Sequence, residues 1–102
     1  MTLHELAPEL VDDIAESVVR LGRGELVDQL RNAVVVSWTF DEFAQASYLY
    51  LRSSRNDEVE ETLSLYDDIG VNLDLDNNNR LIGIEVFGYE QALARIRDAI
   101  AV

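Results

Sequence analysis

The sequence contains no cysteine, no lysine, a single proline and a single histidine. Without cysteine it has neither disulfides nor thiolate chemistry, which fits a reducing compartment, and we expect a cytoplasmic protein. Without lysine it has no residue for a Schiff base or for the usual phosphate-binding loop. All eight basic residues are arginines. We expect no cofactor.

Long apolar runs and basic charge are scarce as well. The run Ala33–Val36 is far shorter than the ~20 apolar residues that span a bilayer, and the acidic N-terminal residues do not resemble a secretion signal. Eight arginines against 20 acidic residues leave a net charge of −12. This charge opposes binding to nucleic acid and to anionic membranes, so we expect neither as a partner.

The negative charge is concentrated in one segment. Eight acidic residues and no basic ones lie between Asp57 and Asp76. Such a segment favours a basic protein partner by charge complementarity. The alternative is that it only keeps the protein soluble and its sheet edges unpaired.

Hydrophobic residues make up 48% of the 102 residues and charged residues 27%, the composition of an ordinary globular domain. We expect one domain over residues 1–102. It divides into a helical N-terminal segment (1–32), an antiparallel sheet (33–88) and a C-terminal helix (89–102). This order indicates an α+β fold: two N-terminal helices, a five-stranded antiparallel β-meander and a C-terminal helix packed on the sheet.

A β-hairpin is the clearest local signal. Apolar residues alternate with polar ones from Val71 to Leu75 and again from Ile82 to Val86, the period of half-buried strands. The two apolar rows share a face only if Val71 opposes Val86, Leu73 opposes Ile84 and Leu75 opposes Ile82. We expect Leu73, Ile84 and Trp38 to be buried, and Asp74 and Asp76 to be open to water.

Periodicity also predicts the other elements. A helix beginning near Pro8 places Leu10, Val11, Ile14, Val18 and Leu21 on one stripe, a shorter helix covers roughly Glu25–Arg31, and a third follows Gly88. Alternation predicts strands over residues 33–40, with Val34, Val36, Trp38 and Phe40 on one face, over Ala46–Ser53, and over Val59–Asp67 with Val59 inward. Asp68–Gly70 is expected to be a turn.

The motifs Phe40-Asp41, Ala46–Leu51, Val71–Asp76 and Leu81–Val86 resemble the domain of unknown function 2283 family of small proteins. The resemblance covers about residues 38–88. It implies an aromatic-Asp pair before a Tyr-rich strand, then an Asp-bearing hairpin that ends in Gly-Ile-Glu. Asn79 stands where the family pattern has a turn glycine. The resemblance implies no activity and no catalytic residue.

Acidic and aromatic residues are the candidates for a site. Asp74, Asp76, Asn78 and Glu85 have the spacing of calcium ligands in a helix–loop–helix, but their flanks have the period of strands. Asp74, Asp76 and Glu85 therefore remain weak metal candidates, and Asp74 with Glu85 a weak acid/base pair. We name no catalytic residue, because the only histidine, His4, lies before the first predicted helix.

The predicted function is a non-catalytic interaction module of the antitoxin, immunity or regulatory type that binds a basic partner. The alternatives are a small enzyme or cation-binding protein using Asp74, Asp76 and Glu85, and a structural homo-oligomer. An aromatic surface including Phe87 predicts a homodimer. The residues expected to contact a partner are Tyr48, Tyr50, Arg52, Asp57, Glu58, Glu60, Glu61, Tyr66, Asp67 and Asp68.

Overall fold

The computed structural model describes residues 1–52 and 59–101. The helices are α1 (Leu3–Leu6), α2 (Pro8–Arg20), α3 (Val27–Asn32), α4 (Tyr66–Ile69) and α5 (Glu90–Ala101), and a 3₁₀ turn covers Gly24–Leu26. The strands are β1 (Ser37–Asp41), β2 (Ala46–Tyr50), β3 (Glu61–Ser64), β4 (Val71–Leu75) and β5 (Leu81–Val86). None of the helices in these two ranges has the length and apolar character needed to cross a membrane.

The five strands form one antiparallel sheet in the order β1-β2-β5-β4-β3. The predicted α+β class and the antiparallel sheet are confirmed. The strand order differs from a simple meander, because the β1–β2 hairpin joins the β3–β4–β5 meander through a β2–β5 pairing. The edge strands are therefore β1 and β3, and the hairpin of β4 and β5 occupies the interior of the sheet.

One continuous apolar core lies between the helices and one face of the sheet. It contains residues from α2, α3 and α5 and from the interior strands β2, β4 and β5. Fully buried examples are Ile14, Leu30, Leu49, Leu73 and Ile96. Burial of these side chains supplies the main driving force for folding. Trp38 lies against this core but is only partly buried, because its strand is at the edge of the sheet.

The N-terminal residues are fixed by a helix that the sequence analysis missed. The Thr2 hydroxyl accepts a hydrogen bond from the Glu5 amide, and the Glu5 carboxylate accepts one from the Thr2 amide, both at 3.0 Å. This capping box starts α1, which buries Leu3 and Leu6. His4 thus lies on an ordered helix, exposed to solvent, rather than on a free terminus.

The predicted helices are present with small differences. Pro8 occupies the first turn of α2, where its missing amide costs no hydrogen bond. The stripe of α2 is buried down to Val18, but Leu21 is 55% exposed because the helix ends one residue before it. In the third predicted helix, α5, Leu93 and Ile96 are buried as expected.

The central hairpin has the predicted register over most of its length. Val71 pairs with Val86 and Leu73 with Ile84, and both members of the second pair are fully buried. The prediction for Leu75 was wrong, since the register shifts after Asp74 and Leu75 pairs with Leu81. A bulge of this kind places one extra residue on one strand and is accommodated here because both Leu81 and Ile82 are apolar.

The first and third strands are shorter than predicted. The three valines at 34–36 are not part of β1, and Val35 rather than Val34 or Val36 is buried. This segment instead pairs with the N-terminus, where Val35 donates to the Met1 carbonyl and Leu3 donates to the Ala33 carbonyl. Val59 is 49% exposed, and the end of the third predicted strand forms α4.

Candidate functional site

The sheet face opposite the core carries a continuous set of polar and aromatic side chains. The strand register places them in two cross-strand rows, Thr39-Tyr48-Glu85-Asn72-Ser64 and Ser37-Tyr50-Gly83-Asp74-Thr62. We refer to these ten residues, together with Arg52 and Asp76 at the ends of β2 and β4, as the polar face. It is open to solvent across its width, because Thr39, Tyr50, Glu85 and Thr62 are all exposed.

Gly83 lets a tyrosine lie flat on the polar face. A Cβ at Gly83 would come within 2.4 Å of the Tyr48 ring and of its hydroxyl, so only glycine leaves room for this ring. On the other side of Gly83, the Tyr48 hydroxyl donates a hydrogen bond to Asp74 Oδ2 of β4 at 2.6 Å. Asp74 Oδ1 accepts a second hydrogen bond, from the Thr62 hydroxyl at 2.7 Å. Both oxygens of Asp74 are therefore occupied by the protein's own side chains.

The Tyr48 hydroxyl keeps its proton at any ordinary pH. Burial raises the pKa of this phenol well above 10, and the hydrogen bond to the Asp74 carboxylate raises it further. Tyr48 is therefore a fixed hydrogen-bond donor rather than an acid or base.

Tyr50 provides the exposed aromatic surface beside Tyr48. The two ring centroids are 4.7 Å apart with the planes tilted by 57°, a favourable aromatic geometry. Tyr50 is 38% exposed, whereas the Tyr48 ring is partly covered. The pair thus forms an aromatic platform on an otherwise polar surface.

Asp76 closes the hairpin turn and holds Arg52. Its Oδ1 accepts from the amides of Asn78 at 2.8 Å and Arg80 at 3.0 Å, and its Oδ2 accepts from Arg52 at 2.6 Å. The Arg80 amide and the Arg52 guanidinium hold the pKa of this carboxyl below its usual range. The Asp76 side chain is only 12% exposed and Asp74 is half-buried, so the expectation that both are open to water was wrong.

Glu85 is the exposed carboxylate of the polar face. Its Oε1 accepts from the Asn72 side-chain amide at 3.2 Å. The Oδ1 of Asn72 is buried and has no hydrogen-bond partner among the described residues. Because Glu85 is exposed, its carboxylate is accessible to a partner. Both oxygens of Asp74 and of Asp76 already accept hydrogen bonds within the chain.

The carboxylates with calcium-loop spacing have separate structural roles. Asp74 binds Tyr48 and Thr62, and Asp76 binds its own turn and Arg52. Within residues 1–52 and 59–101, no three histidine or acidic side chains form a group able to hold a metal ion. The arrangement gives the cation-binding alternative no specific support.

The other residues predicted to contact a partner are dispersed. Glu61 makes two hydrogen bonds of 3.0 Å to the Arg23 guanidinium, which lowers the pKa of its carboxyl. Asp68 accepts hydrogen bonds from Ser17 and Arg20, so it joins α4 to α2. Glu60 is exposed just before β3, Tyr66 and Asp67 lie in α4, Phe87 lines a cleft beside α5, and Asp57 and Glu58 lie outside the described residues.

A second polar network, which the sequence analysis did not identify, attaches the hairpin tip to the helices. The Arg23 side chain donates to Asn79 Oδ1 at 2.7 Å and to Glu25 at 3.1 Å. Gln29 donates to the Asn79 carbonyl and accepts from the Leu81 amide. These contacts fix Asn79, which has a positive φ of 60°, in the place of the family's turn glycine. We assign this network to stability.

The fold and the polar face define a small α+β domain with one sheet face covered by helices and the other open. A family model described as "Protein of unknown function (DUF2283)" matches residues 38–89, which is 52 of the 102 residues. The chain belongs to this family, and the predicted resemblance is confirmed. The match spans the sheet and stops short of the N-terminal helices. No curated protein and no solved structure matches the chain.

Proposed function

We propose that the chain is a non-catalytic interaction module that binds a basic protein through the polar face. The observation that carries the proposal is the Tyr48–Tyr50 pair on a sheet face that is open to solvent from β1 to β3. Tyrosine and arginine are enriched where proteins bind each other, because each combines a large contact area with polar groups. Regulation or neutralisation of that partner is the role we expect.

Rigidity supports this role. Tyr48 is held by Asp74 and by the space over Gly83, and Arg52 is held by Asp76. A partner that binds these side chains does not have to order them, which lowers the entropic cost of association.

Charge determines the kind of partner. The polar face carries three carboxylates, Asp74, Asp76 and Glu85, and one guanidinium, Arg52, which leaves a net charge of −2 on the face of a molecule at −12. A basic surface is attracted over long range by the whole molecule and locally by Glu85. An acidic partner would be repelled on both scales.

The contacts of the acidic side chains favour this proposal over an enzyme. An acid/base pair needs one carboxyl that is free to exchange a proton with a substrate. Asp74 already accepts two hydrogen bonds, and Glu85 is exposed on an open surface rather than in a cleft.

The test is affinity capture from the native organism at low and high salt, with three variants of the immobilised protein. We expect a basic protein that is retained at low salt and released at high salt. Tyr50→Ser and Glu85→Arg should abolish its capture. Asp28→Arg, which makes the same charge change on exposed α3, should retain it. If Tyr50→Ser and Glu85→Arg capture the same proteins as the wild type, the polar face is not the binding surface.

A further inference from the structure

β3 is an edge strand whose backbone can pair with one more strand. It pairs with β4 on one side, and no described strand lies on its other side. The Leu65 amide donates to the Val71 carbonyl at 2.8 Å, so Leu63, two residues earlier, also directs its backbone groups to β4. The amide and carbonyl of Thr62, between them, therefore point outward, where an edge strand accepts a new partner.

An apolar cleft lies at the end of β3. It has a volume of about 210 Å³, and Leu21 and Leu65 are its apolar walls. Its polar lining residues are Ser17, Arg20, Ser64 and Asp68. The Asp68 carboxylate accepts hydrogen bonds from Ser17 and Arg20, so these groups are occupied by one another. Leu21 continues the apolar stripe of α2 but is 55% exposed, which leaves apolar surface uncovered beside the edge strand.

The side chains of β3 alternate between two environments. Leu63 faces the helices and is only partly buried against the core, because no further strand covers it. Thr62 and Ser64 face the other way and belong to the polar face. A strand added beside β3 would therefore have an apolar environment on its helix side and a polar one on the other.

We infer that β3 binds an extended segment of the basic partner, which joins the sheet as a further strand. The segment alternates apolar residues, which cover Leu63 and enter the cleft at Leu21, with basic residues on the side of the polar face. Because β3 contributes Thr62 and Ser64 to the polar face, the added strand is continuous with that surface. The inference rests on the proposed function and adds the conformation and the residue pattern of the bound segment.

Charge selects a basic segment over a second copy of the chain. β3 lies within the stretch from Asp57 to Asp76, which has eight acidic residues and no basic one. Glu61 is bound by Arg23, but the exposed Glu60 has no ion-pair partner in the described part of the chain. Pairing with a second β3 would bring like charges together, whereas lysine and arginine are attracted. The other edge strand, β1, carries a charge only at its last residue and lacks this preference.

Binding of a synthetic peptide to the purified chain tests the inference. The probe is a fluorescent peptide of alternating lysine and valine, and the control peptide has the same composition with the lysines and valines in two separate blocks. At low salt we expect the alternating peptide to bind at least about tenfold more tightly than the block peptide. Its binding should also protect the Thr62 amide from hydrogen exchange, which reports the new backbone pairing.

Two substitutions of one residue distinguish the backbone from the side chain. Thr62→Pro removes the outward amide at a position where an edge strand tolerates proline, and Thr62→Val keeps that amide. Both remove the hydroxyl that donates to Asp74, so their difference measures the amide alone. We expect Thr62→Pro to weaken binding of the alternating peptide at least about tenfold, and Thr62→Val to leave it nearly unchanged. Thermal unfolding checks that both variants fold.

The cleft is tested with a second pair of variants. Leu21→Ser should weaken binding of the alternating peptide severalfold, because it removes an apolar wall. Val19→Ser, at a residue that is 58% exposed and outside the lining of the cleft, should not. Equal binding of the two peptides, or wild-type binding by both Thr62→Pro and Leu21→Ser, would overturn the inference.

Affinity capture distinguishes this result from a failure of the proposed function. Capture of a basic protein that is lost in Tyr50→Ser but kept in Thr62→Pro overturns the strand addition and leaves the polar face as the binding surface. Capture that depends neither on salt nor on Tyr50 overturns the proposed function, and the strand addition to that partner with it.

Discussion

Gly83 has no side chain, and the Tyr48 ring lies in the space that this leaves free on the sheet. The Tyr48 ring occupies the space that a Cβ at residue 83 would need, and from this position its hydroxyl donates a hydrogen bond to Asp74. Residue 83 therefore contributes no side-chain packing of its own. In return, Tyr48 is held in place and Asp74 accepts a hydrogen bond at each carboxylate oxygen.

Gly83→Ala is therefore expected to destabilise the protein by about 1–3 kcal/mol, because the Tyr48 ring must leave its place and lose the hydrogen bond to Asp74. In a Tyr48→Ser background the same change should cost little or even stabilise, since alanine is favoured over glycine in a strand by about 0.5–1 kcal/mol. Urea unfolding of the four proteins measures this coupling. Equal costs in the two backgrounds would show that the ring does not depend on Gly83.

Tyr89 makes the stability of the folded protein depend on pH in the alkaline range. Its hydroxyl donates to Asp13 Oδ2 at 2.5 Å, and burial together with the Asp13 carboxylate raises the pKa of Tyr89 to about 12. Because the folded-state pKa lies above the unfolded value of about 10, the stabilisation is complete below pH 10 and is lost as the pH rises toward 12. Tyr89→Phe should reduce the fall in unfolding free energy over this range, while the raised pKa of Tyr48 leaves part of it. An unchanged slope in Tyr89→Phe would contradict the assignment.

At the scale of elements, the junction between α4 and β4 depends on two glycines in contact. Gly70 has a φ of 69°, and a Cβ there would lie 2.5 Å from the Gly88 Cα. The Gly70 carbonyl accepts hydrogen bonds from the amides of Phe87 and Gly88, which tie the end of β5 to the start of β4. The contact is between backbone atoms of Gly70 and Gly88, so no change of side-chain rotamer can relieve the clash that an added Cβ would cause.

Gly70→Ala should destabilise the protein by about 3 kcal/mol or more, from strain and a backbone clash together. Gly22→Ala is the matched control, because Gly22 has a φ of 76° but open space around its Cα. It should cost only about 1 kcal/mol, the penalty of the left-handed conformation. Thermal unfolding compares the two, and similar losses would show that the contact with Gly88 is not the cause.

The elements that the sequence predicted well are those that local periodicity specifies. The alternation in Val71–Val86 gave the pairing of Leu73 with Ile84, and the apolar stripe from Leu10 gave α2. The strand order was missed because the β2–β5 pairing joins segments far apart in sequence, and no local pattern encodes it. The bulge at Leu75 was missed because Leu81 and Ile82 are both apolar, so the pattern fits two registers.

Two features, helix α1 and the close contact at Gly83, have recognisable patterns in the sequence that the predictions above did not include. Thr2 followed by Glu5 is the capping-box pattern that starts α1. Gly83 inside an otherwise apolar strand is typical of a site where another group approaches closely, which here is Tyr48. The contact of Tyr48 with Asp74 itself could not be predicted, because it requires β2 and β4 to lie on either side of β5.

At the scale of the whole molecule, the arginines are used mainly for internal contacts. Arg20, Arg23, Arg31, Arg52 and Arg95 each lie within 4 Å of an acidic side chain of the same chain. Most of these pairs are exposed and contribute little to stability singly. The excess of carboxylates is left on the surface, and any association must take place against a net charge of −12 or exploit it.

Salt therefore distinguishes the predicted homodimer from the proposed complex with a basic protein. Two copies at −12 repel each other at low salt, where the screening length is about 30 Å at 0.01 M. Raising the ionic strength to about 0.15 M shortens that length to about 8 Å, so the homodimer should strengthen. A complex with a basic protein should weaken over the same range, because its long-range attraction is screened. Sedimentation of the purified chain, and of the chain with its captured partner, measures both slopes. If both associations change in the same direction with salt, one of the two is not governed by the charge of the molecule.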